Sequence, residues 1–162
     1  MAERFKLISA VHLFLIREGR ILLLRRFNTG WGDGLLSVVA GHLDGGEEVK
    51  AATMREAREE VGIKVQADQL RVVGVMHRRE GDERIDFFLT AQIWEGEVRN
   101  CEPQRCSELL WAELTNLPAD LVPYVRQAIE NSQRGIWFQS YGWVEAERES
   151  GLVKGQTGQS TA

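Results

Sequence analysis

The chain opens with two apolar runs, residues 7–16 and 21–26, separated by Arg17-Glu18-Gly19-Arg20. Runs of this length, rich in leucine, isoleucine and valine and joined by a glycine turn, predict a β-hairpin. The first run also has the look of a short secretory leader. His12 interrupts it, however, and a charged turn follows where a small-residue cleavage site would stand, so the hairpin is the expectation. The stretch Asn28-Thr29-Gly30-Trp31-Gly32-Asp33-Gly34 has no period and predicts a loop. A short apolar strand is expected over 35–39, then a second glycine loop, Gly41-His42-Leu43-Asp44-Gly45-Gly46. Residues 47–61 read as a helix stopped by Gly62, in the place glycine takes just past a helix C-terminus. Strand pieces are expected over 63–65 and 70–76, a longer strand over 85–94, which would contain Trp94, and another over 109–114, which would contain Trp111. A helix over roughly 121–134 would place Leu121, Val125 and Ile129 on one face. Residues 151–162 are rich in Gly, Gln, Ser and Thr and predict a flexible tail.

Composition narrows the class. The 162 residues hold 20 Lys+Arg against 24 Asp+Glu, a net charge of −4, which argues against a protein that coats DNA or RNA. Hydrophobic residues at 43% and charged residues at 27% are ordinary for one globular domain. No run reaches the roughly 18 apolar residues of a membrane span. Two cysteines cannot make a disulfide framework, and their C-x4-C spacing has no neighbouring histidine to suggest zinc. Free thiols suit a reducing, cytoplasmic setting. Mixed strands and helices predict a single α/β or α+β domain.

The helix over 47–61 carries the chemistry. On a wheel of about 100° per residue, Glu56, Glu59 and Glu60 share an arc, with Met54, Ala57 and Val61 on roughly the opposite side. The acids are badly placed for stability. Like charges at i,i+3 and i,i+4 repel, and Glu59 and Glu60 lie near the C-terminus, where the helix dipole disfavours anions. A divalent cation removes the conflict, because carboxylates are hard oxygen ligands and Mg²⁺ takes a few of them together with substrate phosphates. The glycine loop before the helix lets backbone groups approach such a site. The plain alternative is a solvated acidic surface helix.

The run Gly41-x5-Glu47-x7-Arg55-Glu56-Ala57-Arg58-Glu59-Glu60-Val61-Gly62-Ile63 resembles the Nudix box of Nudix hydrolases. The resemblance implies a three-layer α/β/α sandwich with a mixed sheet as one domain over 1–150. Its core would span about 5–135, with an aromatic extension over 136–150. It also implies hydrolysis of a diphosphate linkage in a nucleotide, with Mg²⁺ as cofactor and Mn²⁺ as a substitute. Carried over, Glu56, Glu59 and Glu60 are metal ligands, the Ala40 carbonyl is a further one, and Arg55 orients Glu47 or a helix acid. The family commonly adds an acid from a later loop. Here Glu102 in Trp94-Glu95-Gly96-Glu97-Val98-Arg99-Asn100-Cys101-Glu102 is the best match, Glu97 the second, and a solvated loop glutamate the alternative.

Arg26, Asn28, Trp31, His42 and Arg78 are the substrate-binding candidates. Trp31 is suited to stacking on a purine, though aromatics more often pack. Arg25, Arg26, Arg78 and Arg79 end predicted strands and either meet phosphate or are solvated. His42 either touches phosphate or shapes its loop. There are departures from the family pattern. Ala57 replaces a bulkier aliphatic residue, and valine stands where many members have proline before Ala40-Gly41. The asparagine that recognises oxidised guanine has no match in Pro118-Ala119-Asp120-Leu121. The expected substrate is a nucleoside triphosphate or a modified one, giving monophosphate and pyrophosphate. ADP-ribose or NDP-sugar hydrolysis, or a catalytically silent nucleotide-binding module, is the alternative. The aromatic group Trp137, Phe138, Tyr141 and Trp143 packs on the domain or forms a homodimer contact.

Overall fold

The computed structural model describes residues 3–143; the expected tail over 151–162 and part of the aromatic extension lie outside them. The elements run β1 (Ile8–Arg17), β2 (Arg20–Arg26), β3 (Leu36–Ser37), β4 (Val39–His42), α1 (Val49–Val61), a 3-10 turn (Ala67–Gln69), β5 (Arg71–Glu80), β6 (Asp82–Ala91), β7 (Cys106–Glu113), α2 (Pro123–Gln133) and β8 (Phe138–Tyr141). The sheet order is β3-β2-β1-β6-β5-β8, with β4 paired to β1 and β7 to β2. Pairing is mixed: β1–β6 and β5–β8 are parallel, and the remaining pairs are antiparallel.

Period-2 alternation sorts the buried residues into two layers. Val11, Leu13 and Leu15 of β1, Leu22 and Leu24 of β2, and Leu89 of β6 pack with Ala52, Ala57 and Val61 of α1. The intervening Phe14, Ile21, Leu23 and Phe88 pack with Val125, Ala128 and Ile129 of α2. The sheet therefore lies between two helices, the α/β/α sandwich with a mixed sheet expected from the sequence.

Several sequence expectations shift. Gly41 and His42 are strand residues of β4, held in register with Val11 and Ala10, rather than loop residues. The strand expected over 85–94 runs Asp82–Ala91, and Trp94 lies beyond it, stacked 6.3 Å from Trp111 and covered by the Arg17 guanidinium. Residues 63–65 contribute only the Lys64↔Glu95 bridge. Helix α2 begins at Pro123, whose fixed φ and missing N–H suit the first helical position, so Leu121 is buried ahead of the helix. Phe138–Tyr141, read from sequence only as an aromatic group, is a strand on the β5 edge. No helix among the described residues is long and apolar enough to cross a membrane.

Candidate active site

Helix α1 starts at Glu48, whose carboxylate accepts the Lys50 and Ala51 N–H groups at 3.0 Å each. It ends at Gly62 in the left-handed region (φ 71°), which lets the Gly62 N–H return to the Ala57 and Arg58 carbonyls. The chain then uses a distant segment to finish this end. Arg99 N–H donates to the Val61 carbonyl (3.1 Å) and Cys101 N–H to the Glu60 carbonyl (3.0 Å). Two otherwise unpaired helix carbonyls are thereby satisfied, and Glu102 is delivered to the acidic side of α1. Asn100 fixes the turn: its Nδ2 donates to the Cys106 carbonyl (2.7 Å) and its Oδ1 accepts the Glu102 N–H (3.0 Å).

Glu56, Glu59, Glu60 and Glu102 line one cavity of about 700 Å³. They do not form the uniformly solvated face the helical wheel suggests. Only Glu59 is exposed; Glu56 is buried and Glu60 is partly covered, both against β4. Gly41 makes this possible, because a Cβ there would sit 1.9 Å from Glu56 Oε1. Glu60 Oε2 accepts the Ala40 N–H at 3.1 Å. Leu43 N–H pairs with the Ser9 carbonyl, in register with Val11↔Gly41. The alternation of an antiparallel ladder therefore turns the N–H and C=O of Ala40 away from β1, toward the acids.

Arg55 fans across the cluster. Its Nη2 donates to Glu47 Oε1 at 2.7 Å and to the His42 carbonyl at 3.1 Å, and its Nη1 lies 2.6 Å from Glu56 Oε1 and 3.2 Å from Glu59 Oε2. The guanidinium holds Glu47 below the usual carboxylate range, while burial outweighs Arg55 at Glu56 and raises it. Glu60 is pushed up to about 8, first by burial and further by the nearby negative charges of Glu56 and Glu102, against the pull of the Ala40 N–H and Arg105. Among the described residues no three His, Cys, Asp or Glu side chains converge as a ready-made metal cluster, since Glu56 leans on Arg55 and Glu60 on the backbone. The donor set nonetheless fits a hard divalent cation. It consists of several carboxylates lining one cavity, two of them, Glu56 and Glu60, shielded from water.

The same cavity is lined by Arg26, Trp31, His42 and Arg78 from the sequence candidates, with His12, Tyr124, Arg84 and Arg105, which sequence reasoning did not select. Only the tertiary fold brings these four here; no motif marks them. His12, the residue that breaks the first apolar run, is buried and bonded through Nε2 to the Tyr124 hydroxyl at 3.0 Å, and burial holds its pKa down at about 4. Arg78 is spoken for: its Nε lies 2.6 Å from buried Asp86, its Nη1 3.0 Å from Glu80, and its guanidinium covers Tyr124 at 3.9 Å. His42 Nε2 meets Arg84 Nη1 at 3.1 Å. Arg25 is held by Glu108 and Asp120, and Arg79 lies over Trp143. Asn28 is not among the residues lining the cavity; it takes a positive φ of 53° at a tight turn, a conformation asparagine tolerates. Glu97 is exposed and also lies outside the cavity lining.

Comparison with known proteins agrees with this architecture. The model of the NUDIX domain matches residues 6–131. A protein of Stutzerimonas stutzeri named NAD-capped RNA hydrolase NudC is 27% identical over 117 residues, 72% of this chain and 41% of its own length. The chain spans less than half the length of the curated relatives it matches. Among solved structures, the MutT NUDIX hydrolase from Burkholderia pseudomallei superposes with a TM-score of 0.72 at 29% identity, covering 78% of this chain and 98% of that one. The MutT protein from Methanosarcina mazei gives 0.70 at 22% identity, covering 82% and 97%, a likeness of fold.

Proposed function

The chain belongs to the NUDIX family, and from that premise we propose that it is a Mg²⁺-dependent pyrophosphohydrolase acting on a nucleoside triphosphate or a modified one, releasing monophosphate and pyrophosphate. The observation that carries this reading is that Glu56, Glu59, Glu60 and Glu102 line one cavity together with aromatic and cationic side chains. Glu56, Glu59, Glu60, Glu102 and the Ala40 carbonyl would hold the ion. When bound, a divalent ion supplies charge neutralisation at the bridging phosphates and a more acidic water. A carboxylate of this cluster is suited to accept a proton from the attacking water. Arg55 sets the angle of Glu47 and Glu56 as a planar donor. Arg105 and Arg84 line the cavity as cations able to meet substrate phosphates.

A second reading, a nucleoside diphosphate joined to another group, draws support from the name of the Stutzerimonas stutzeri relative. One panel separates the two: triphosphates, oxidised nucleotides, ADP-ribose and NDP-sugars, each with Mg²⁺ and with EDTA. Release of pyrophosphate from triphosphates supports the first reading, and cleavage confined to the linked diphosphates supports the second. Glu59→Gln with Glu60→Gln abolishes turnover while leaving the fold intact if the protein is an enzyme. Silence of the unmodified, folded, Mg²⁺-binding chain on every substrate supports a binding module instead.

A further inference from the structure

The loop between β2 and β3 is organised around an aromatic ring left half in water. Trp31 is 49% exposed and, unlike the other exposed aromatic side chains Phe5, Phe27, Trp137 and Phe138, lines the cavity. The loop is closed at its base by the Arg26 N–H on the Leu35 carbonyl (2.9 Å) and the Gly34 N–H on the Arg26 carbonyl (2.8 Å). Inside it, Arg26 Nε donates to the Trp31 carbonyl at 2.8 Å and Nη2 to Thr29 Oγ1 at 2.9 Å. The Arg26 guanidinium lies 5.0 Å from the Trp31 ring centre. Asp33 then ties the tip: its carboxylate accepts the Thr29 N–H (2.9 Å), the Thr29 hydroxyl (2.6 Å) and the Gly30 N–H (3.1 Å). Phe27 N–H reaches the Arg105 carbonyl at 2.9 Å, so the loop is tied to the segment that carries Glu102. A surface loop with this many internal bonds presents Trp31 at a fixed angle, the arrangement expected of a preformed contact surface.

Resting on the proposed nucleotide substrate, we propose that Trp31 is the stacking wall for the nucleobase, with Asp33 and Arg26 as positioning residues that hold the indole in place, and that the base is a purine. Trp31 and Tyr124 meet at 6.2 Å and 40°, which makes a corner rather than a slot. A flat ring covers one face of the indole and turns its edge toward Tyr124, which lines the same cavity. A two-ring base overlaps the indole more fully than a pyrimidine does. Because stacking is tolerant of ring substituents, the wall selects ring size rather than one purine.

The test is binding to the full chain by calorimetry, using AMP, GMP, CMP, UMP and, as the baseless reference, ribose 5-phosphate. The unmodified protein binds the two purine monophosphates more tightly than CMP, UMP or ribose 5-phosphate. Trp31→Ala weakens AMP and GMP by roughly 5- to 150-fold, the range of base–aromatic stacking, and Trp31→Phe restores most of that loss. Asp33→Ala lowers purine affinity with Trp31 still present, and Asp33→Asn, which keeps one acceptor, lowers it less. Equal weakening of ribose 5-phosphate and AMP in Trp31→Ala, or no weakening of either, overturns the proposal. So does equal affinity of the unmodified chain for purine and pyrimidine monophosphates. Metal-dependent hydrolysis without Trp31-dependent purine binding sinks this inference alone. Trp31-dependent purine binding without hydrolysis of any substrate sinks only the proposed activity.

Discussion

Gly41→Ala separates the site from the fold. A methyl group at residue 41 would lie 1.9 Å from Glu56 Oε1, 2.1 Å from Glu56 Cδ and 2.7 Å from Oε2, against an ordinary contact near 3.4 Å. The carboxylate must retreat by about 3.4 − 1.9 = 1.5 Å. Gly41 has no positive φ, so the backbone accepts alanine and the whole effect falls on one flexible side chain. Rotating Glu56 off its preferred rotamer costs about 0.5–1.5 kcal/mol, and its contact with Arg55 is weakened, so the melting temperature falls by only a few degrees. Catalysis is less forgiving. A misplacement of about 1 Å costs on the order of 10²-fold, or roughly 2.7 kcal/mol of transition-state stabilisation at 1.36 kcal/mol per decade. The assay is pyrophosphate release against Mg²⁺ concentration after EDTA treatment, with Mn²⁺ binding followed by electron paramagnetic resonance as a substrate-independent readout. Gly45→Ala is the control in the following loop, where a Cβ meets nothing within 4 Å and only a φ of +80° is strained. Unchanged activity and Mn²⁺ affinity in Gly41→Ala, or loss no greater than in Gly45→Ala, would refute the reasoning that Gly41 exists to admit Glu56.

Other outcomes follow from the same geometry. Glu60 stands above its ordinary carboxylate value, so the folded chain holds a proton that the unfolded chain has released between about pH 4.5 and 8. The metal-free protein therefore loses stability as pH rises through that window, and Glu60→Gln flattens the slope in thermal melts at several pH values; a flat profile for the unmodified chain contradicts it. Arg55→Lys lowers Mg²⁺ affinity by about 10- to 100-fold, because an ammonium cannot reproduce the fork that meets Glu47, Glu56 and the His42 carbonyl; titration calorimetry reads this, and wild-type affinity would remove Arg55 from the positioning role. Asp86→Ala strands the buried Arg78 guanidinium and costs about 3–5 kcal/mol by urea unfolding, whereas a loss under about 1 kcal/mol would mean that Arg78 finds water or Glu80 suffices.

The sequence was most readable where pattern and chemistry are local. The two apolar runs and the turn between them predicted the hairpin of β1 and β2, and the spacing from Gly41 to Ile63 named the acids before any coordinate did. It misled where a backbone position matters more than residue type. A glycine-rich run reads as loop, yet Gly41 is a strand residue kept bare by the Glu56 carboxylate above it. A helical wheel sees three acids on one arc but cannot see β4 covering two of them. His12, Tyr124, Arg84 and Arg105 come from separate elements and meet only through β-sheet pairing and the placement of α2, so nothing short-range announces them. Asn28 was chosen for its polar side chain, while its place is explained by a backbone dihedral.

Strand β8 lies beyond the residues that the NUDIX model matches, and it pairs parallel to Val75–Arg78 of β5, some sixty residues earlier in the chain. A parallel partner this distant closes slowly, because the loop entropy is lost before any ladder bond repays it. During synthesis, β5 and β6 emerge and pair well before residues 138–141 exist, so the outer edge of β5 is exposed as an open hydrogen-bonding row for that interval. The strand beside it carries Arg78, so the segment that arrives last in this sheet also seals the backbone behind one wall of the cavity. Chains cut before residue 138 would therefore keep the acids and the tryptophan loop yet tend to associate edge to edge, a failure of assembly rather than of chemistry.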